Sequence, residues 1–178
     1  TRPWCNRMMT RSWLVLVLMA TAATLSAQLK APSFLAPAAL EPTLVTPHLD
    51  ARAAGDVIVD AGGAATLVIL VTPKPKMHVY SADVEGYVPF TVTVAPSPGV
   101  KPGKVAHARS ELYVFPPTGE SSRAYMKPFK VSVPLTVSAE GRAQARKGTP
   151  GVVTLRYQAC DDAVCYRPTT GSFTYTIR

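Results

Sequence analysis

At 178 residues, 47% hydrophobic and 17% charged, the chain is long enough for one ordinary domain with a real core and too apolar for a disordered segment. Its formal charge of +8 comes from scattered Lys and Arg with no run of five and no aromatic interleaving, which argues against a nucleic-acid partner. Arg2, Arg7 and Arg11 precede Gln28 with no acid among them, so 16 basic residues face 11 acidic ones beyond that point, a balance of +5.

Residues 1–27 read as an export signal. Arg7 and Arg11 form a positive n-region, Trp13 to Ala20 an apolar h-region, and Leu25-Ser26-Ala27 a small-residue cleavage site before Gln28, with Ala23 as an alternative site. The h-region is too short to cross about 30 Å of hydrocarbon. No lipobox cysteine follows it, so a lipid anchor is not expected. The expected start is Met8 or Met9 unless the chain is part of a longer one; in either case Cys5 belongs to the leader. Residues 28–54 are rich in Ala, Pro, Leu and Thr, with Pro32, Pro37, Pro42 and Pro47 at five-residue intervals, the composition of an extended linker.

From Gly55 to Arg178 the character changes to short β-branched runs between turn residues. The expected strands are 56–61, 64–72, 77–81, 88–95, 111–115, 127–137, 152–159, 164–167 and 172–177. Pro134 inside the sixth run predicts a bulge or an edge strand. No long segment beyond the leader has apolar residues at helical spacing. Eight or nine short strands suit an all-β, immunoglobulin-like sandwich. Unlike an antibody domain, this chain has no tryptophan outside the leader, Trp4 and Trp13 being its two, and its remaining cysteines share one hairpin.

Those cysteines, Cys160 and Cys165, carry the chemistry. Four residues separate them, and the flanking runs place one on each arm of a β-hairpin, where facing Cα atoms lie within reach of a disulfide. Two readings follow: a thiol–disulfide exchange site, or a permanent staple in a non-catalytic secreted sandwich. A loop this small stabilises by only about 2 kcal/mol in the chain-entropy model, against about 4.7 for a 100-residue loop, so a staple would be better placed elsewhere. A reduction potential below about −300 mV would mark the staple. Arg156 and Arg167 favour a thiolate at this site, whereas Asp161 and Asp162 disfavour one. Which sulfur is attacked first is open at this level.

No metal site is expected. Two cysteines fall short of the four ligands of a closed zinc centre, and His48, His78 and His107 show no ligand spacing. Neither a G-x-S-x-G elbow nor a phosphate-cradling loop is present, and no cofactor is implied.

The segment from Tyr157-Gln158-Ala159-Cys160 through Cys165-Tyr166-Arg167-Pro168 resembles the active-site hairpin of the N-terminal periplasmic domain of the bacterial thiol:disulfide interchange protein DsbD. The strand ending His78-Val79-Tyr80-Ser81, then Glu111-Leu112-Tyr113-Val114-Phe115, then the Lys130–Val137 strand, follow the same order. The resemblance covers about Gly55 to Arg178. It implies a sandwich that takes electrons from a membrane-embedded carrier through a thioredoxin-like domain and passes them to periplasmic thiol-disulfide proteins. It also implies a cap over the cysteine pair that opens on partner binding, with Leu112, Tyr113 and Phe115 as cap residues, and Tyr80 near the pair. The family often has Pro-Pro where this chain has Arg167-Pro168, which adds a positive charge. The carrier and the thioredoxin-like domain of the full-length proteins are expected on separate chains or beyond Arg178.

Overall fold

The computed structural model describes residues 40–178, so the leader and the first part of the expected linker lie outside the described residues. Strands β1 (Thr43–Val45), β2 (Leu49–Ala53), β3 (Ala64–Pro73), β9 (Phe129–Val137) and β6 (Val100–Pro102) form one antiparallel sheet in the order β1-β2-β3-β9-β6. A second sheet has the order β12-β10-β5, with β12 at Thr169–Ile177, β10 at Thr149–Tyr157 and β5 at Thr91–Val94. Strict alternation in β3, β9, β10 and β12 sends Leu67, Ile69, Val71, Val131, Val133, Val153, Leu155, Phe173, Tyr175 and Ile177 into one shared core. That period-two burial makes the domain an immunoglobulin-like β-sandwich.

A third sheet, β11-β4-β8-β7, carries the cysteines; its strands are Ala159–Cys160, His78–Tyr80, Glu120–Tyr125 and Glu111–Phe115. The chain enters it from β10 after a break at Gln158, whose side chain accepts from the Val88 amide (3.2 Å) and donates to the Tyr166 carbonyl (3.2 Å). One face of this sheet, with Val79, Tyr125 and Ala159, joins the sandwich core. Its other face carries Cys160, His78, Tyr80, Ala124, Ser122 and Tyr113, which the ladder registers place on a common side.

Several expectations are corrected. The linker does not extend to residue 54: β1 and β2 occupy 43–53, with Leu49 and Ala51 fully buried. Pro42 and Pro47 fall just outside these strands, where a missing N–H breaks no ladder bond. The 56–61 run makes only one parallel bridge, Val57 to Ile177, because Asp60 turns the chain by accepting from the Ala64 and Gly63 amides. The 164–167 run is likewise a single bridge, Cys165 to Cys160. Strand β8, strand β6 and the short helix α1 (Ala139–Ala145) are additional to the expected set.

Pro134 produces neither bulge nor edge. The β3–β9 register is unbroken and β9 lies between β3 and β6. The Pro134 carbonyl accepts from the Gly103 amide (2.7 Å), so its missing N–H falls on the β6 side and the long β3 ladder loses nothing.

Helix α1 starts at Ser138, whose side chain accepts from the Gly141 amide at 3.2 Å. Ser138→Ala is expected to cost about 1 kcal/mol, read as a lower urea midpoint at unchanged slope. Among the described residues no helix is long and apolar enough to cross a membrane.

Candidate functional site

Cys160 and Cys165 are joined in a disulfide with their Cα atoms 4.0 Å apart. The turn between them is built by Asp161. Its Oδ1 accepts from the Ala163 and Val164 amides (both 2.8 Å) and its Oδ2 from the Tyr166 hydroxyl (2.8 Å). The Asp161 amide donates to the Val164 carbonyl (3.0 Å) and the Tyr166 amide to the Ala159 carbonyl (2.9 Å). Beyond this the ladder stops, since Gln158 occupies the Tyr166 carbonyl and Pro168 has no amide hydrogen. The two backbone amides, then the Tyr166 hydroxyl, hold the Asp161 carboxyl below its ordinary range. A fixed negative charge therefore sits one residue from Cys160.

The two cysteines differ in exposure. Cys160 is 0% exposed, while Cys165 is exposed at the turn, next to the half-exposed Val164. Tyr80 reaches the outer one, its hydroxyl 3.5 Å from Cys165 Sγ, and stacks on Tyr87 with ring centroids 4.1 Å apart. Burial, then the neighbouring Tyr87 hydroxyl, pushes the Tyr80 phenol well above its ordinary range, so it stays protonated and can donate to sulfur.

The three cap residues separate. Tyr113 lies over the site: its ring stacks on His78 at 3.8 Å and its hydroxyl donates to Asp162 Oδ1 at 3.0 Å. Two small residues of β8, Ser122 and Ala124, lie between β7 and β4 on this face and leave room for the ring to cross. Leu112 is 63% exposed and points to the opposite face, lining a surface cavity with Val84, Tyr87 and Arg123. Phe115 shares the Tyr113 face but sits at the far end of β7, opposite Glu120. Arg167 is exposed and forms no ion pair among the described residues, and Asp162 is exposed with Tyr113 as its partner.

Two histidines that show no spacing to the cysteines in sequence converge on the hairpin. His78, 2% exposed, is the direct cross-strand partner of Cys160, and its Nε2 is buried without a hydrogen-bond partner. His48, in the β1–β2 turn, packs its ring on Tyr166 with centroids 4.6 Å apart. The usable signal for His78 was alternation: within an expected strand it shares a face with Tyr80, two residues on. His107 lies elsewhere, edge-on to Phe90.

A buried cysteine bonded to an exposed one, with aromatic rings packed beside the pair, is an arrangement suited to disulfide exchange. In structure the chain is similar to the N-terminal periplasmic domain of ScsB from Proteus mirabilis, with a TM-score of 0.54 and 17% identity over 75% of this chain and 49% of that one. The chain thus spans about half the length of that relative. It is also similar to the N-terminal domain of Neisseria meningitidis DsbD in the reduced form, with a TM-score of 0.44 and 17% identity over 76% of this chain and 96% of that one. No curated protein matches it in sequence. The model of the family described as thiol:disulfide interchange protein DsbD, N-terminal, matches residues 46–177, from the turn that carries His48 through the cysteine hairpin to the end of β12. The chain belongs to this family.

Proposed function

We propose that this module relays reducing equivalents in the periplasm, taking two electrons from a thioredoxin-like domain or a membrane electron carrier and passing them to exported thiol-disulfide proteins. The observation that carries this reading is the unequal exposure of the two cysteines. In the loading direction a donor thiolate attacks exposed Cys165 Sγ, the Cys160–Cys165 bond breaks, and its electron pair leaves on Cys160 Sγ. The donor's second thiolate then attacks its own sulfur in the mixed disulfide, which frees Cys165 and leaves the donor oxidised and this pair a dithiol. In the unloading direction Cys165 attacks an acceptor disulfide, and Cys160 resolves the mixed disulfide from within.

Export fits both the leader pattern of residues 1–27 and the need for an oxidising compartment. Asp161, with its charge locked by the turn amides, and Asp162 disfavour a free thiolate, which slows oxidation of the loaded dithiol by chance oxidants. Tyr113 and Tyr80 are proposed as the shielding pair, with Tyr113 as its principal member; Leu112, on the opposite face, and Phe115, at the far end of β7, stand outside it.

Equilibration with glutathione redox buffers, read by thiol alkylation and mass spectrometry, tests the reading. A potential between about −270 and −120 mV, the span of thioredoxins to strong oxidants, is the expected result. A bond that stays closed below about −300 mV marks a permanent staple in a non-catalytic sandwich and overturns the relay.

A further inference from the structure

His78 has no role in the exchange described so far, yet it is the side chain placed directly across the ladder from the sulfur that must leave and return. The Cys160–His78 pair is the last of the β11–β4 register, so both side chains project from the same face, on which Tyr113 packs against His78. Among the described residues nothing hydrogen-bonds to His78 Nε2, although the residue is 2% exposed. His48 Nδ1 and His107 Nδ1 are buried without a partner as well, but of the three histidines only His78 stands across the ladder from a cysteine, where its free nitrogen is available to a group that appears when the disulfide opens. Breaking the disulfide creates such a group, because the departing Cys160 sulfur becomes a buried anion, which is costly to leave unpaired.

Resting on the exchange reading above, we propose that His78 is the proton-exchanging residue for Cys160. On reduction, a thiolate bonds to Cys165 Sγ, the bond to Cys160 breaks, the electron pair goes to Cys160 Sγ, and protonated His78 transfers its proton there. The products are a Cys160 thiol and a neutral imidazole. In the reverse step neutral His78 takes the proton from Cys160 as its sulfur attacks the mixed disulfide at Cys165 and expels the partner as a thiolate. The inner sulfur therefore needs no water at its buried position.

The groups facing His78 set its working range. Tyr80 on its own strand lies edge-on at 5.9 Å, Tyr113 from β7 stacks at 3.8 Å, Cys160 faces it from β11, and Asp161 and Asp162 face it from the turn. Burial lowers the imidazole pKa and the two carboxylates, Asp162 foremost, partly restore it. The two tyrosines remain neutral, since both phenols are shifted upward. Burial therefore favours the uncharged imidazole near neutrality, so its proton assistance to reduction grows as the pH falls.

The test is stopped-flow reduction of the intact oxidised protein by dithiothreitol from pH 5 to 8.5, with each rate constant divided by the dithiothreitol thiolate fraction. For the unaltered protein this quantity is expected to rise by about tenfold or more as the pH falls, because protonated His78 assists departure of Cys160. His78→Gln and His78→Phe are expected to give flat profiles that lie about tenfold below it at pH 5 and converge with it at pH 8.5. Profiles parallel at every pH would make His78 a packing residue and overturn the proposal. Should both variants fail to fold, His48→Gln decides: a pH-dependent limb that survives it supports His78, and a flat profile, or loss of the limb with His48, sinks the proposal. The glutathione equilibrium reports separately on the exchange reading, since a bond outside the shuttle range can still show, or lack, this proton assistance when forced open.

Discussion

In a Cys160→Ala variant the remaining thiol at 165 is expected to form a mixed disulfide readily with glutathione disulfide or an oxidised thioredoxin-like partner, whereas in Cys165→Ala the thiol at 160 should react about a hundredfold more slowly. Thiol exchange requires the attacking sulfur to approach in line with the S–S bond it breaks. Cys165 stands exposed at the turn, but Cys160 has no accessible surface and lies beside His78, whose ring Tyr113 covers. Reaching it requires local opening, and an opening free energy of about 3 kcal/mol slows the reaction by roughly a hundredfold. Both variants lose turnover, because each removes half of the dithiol. The asymmetry is read by mass spectrometry over time, with a denatured control in which the two thiols react alike. Equal native rates would remove the geometric basis for assigning Cys165 as the contact sulfur.

The parts of this site that a linear reading reaches are those fixed by local spacing. Cys160 and Cys165 are five residues apart, and a turn between flanking apolar runs brings them together whatever the rest of the fold does. The long core strands are legible for a similar reason, since Leu67-Ile69-Val71 and Val131-Val133-Leu135 announce a period of two within a single segment. Strand β8 is different. Glu120-Ser121-Ser122-Arg123 has no apolar alternation of its own, and becomes a strand because the Pro116–Gly119 turn, with Gly119 at φ +70°, folds it back on β7. Its polarity is useful at the site, where a larger side chain at Ser122 or Ala124 would block the path of Tyr113.

Strands β1 and β2 are obscured by composition: prolines at regular intervals read as linker, yet the segment after Pro47 alternates Leu49 and Ala51 into the core. The His78–Cys160 pairing is hardest to see because it depends on register between strands separated by 80 residues of sequence. No local pattern encodes which residue of a three-residue strand stands opposite a given cysteine. Once β10 breaks at Gln158 and crosses into the third sheet, the pairing of Ala159 with Val79, both core residues, forces Cys160 onto His78. The site register is therefore set by packing on the side of the sheet away from the sulfurs.

Tyr113→Ala is expected to speed reduction of the disulfide by small thiols by about tenfold or more while leaving the fold intact. Tyr113 is a half-exposed residue of an edge strand that pairs only with β8, so its loss leaves no hole in the sandwich core. What it covers is local: the His78 ring at 3.8 Å and, through Asp162, the turn that holds Cys165. Removing the ring opens the face on which Cys160 lies and frees the turn to tilt. Tyr113→Phe separates the two effects, since it keeps the ring over His78 and loses only the bond to Asp162. A hydrogen bond to a carboxylate contributes about 1.5–3 kcal/mol at most and less at an exposed position, so an acceleration of only a few-fold is expected there. Burial and the Asp162 carboxylate push the Tyr113 phenol up to about 12, so the hydroxyl keeps its proton through neutral pH and the Phe-to-Tyr rate ratio should not change between pH 6 and 9. A Tyr113→Ala protein reduced no faster than the parent, with an unchanged urea midpoint, would show that the ring over His78 does not limit opening of the Cys160–Cys165 bond and would move the shield to Tyr80 and Tyr87.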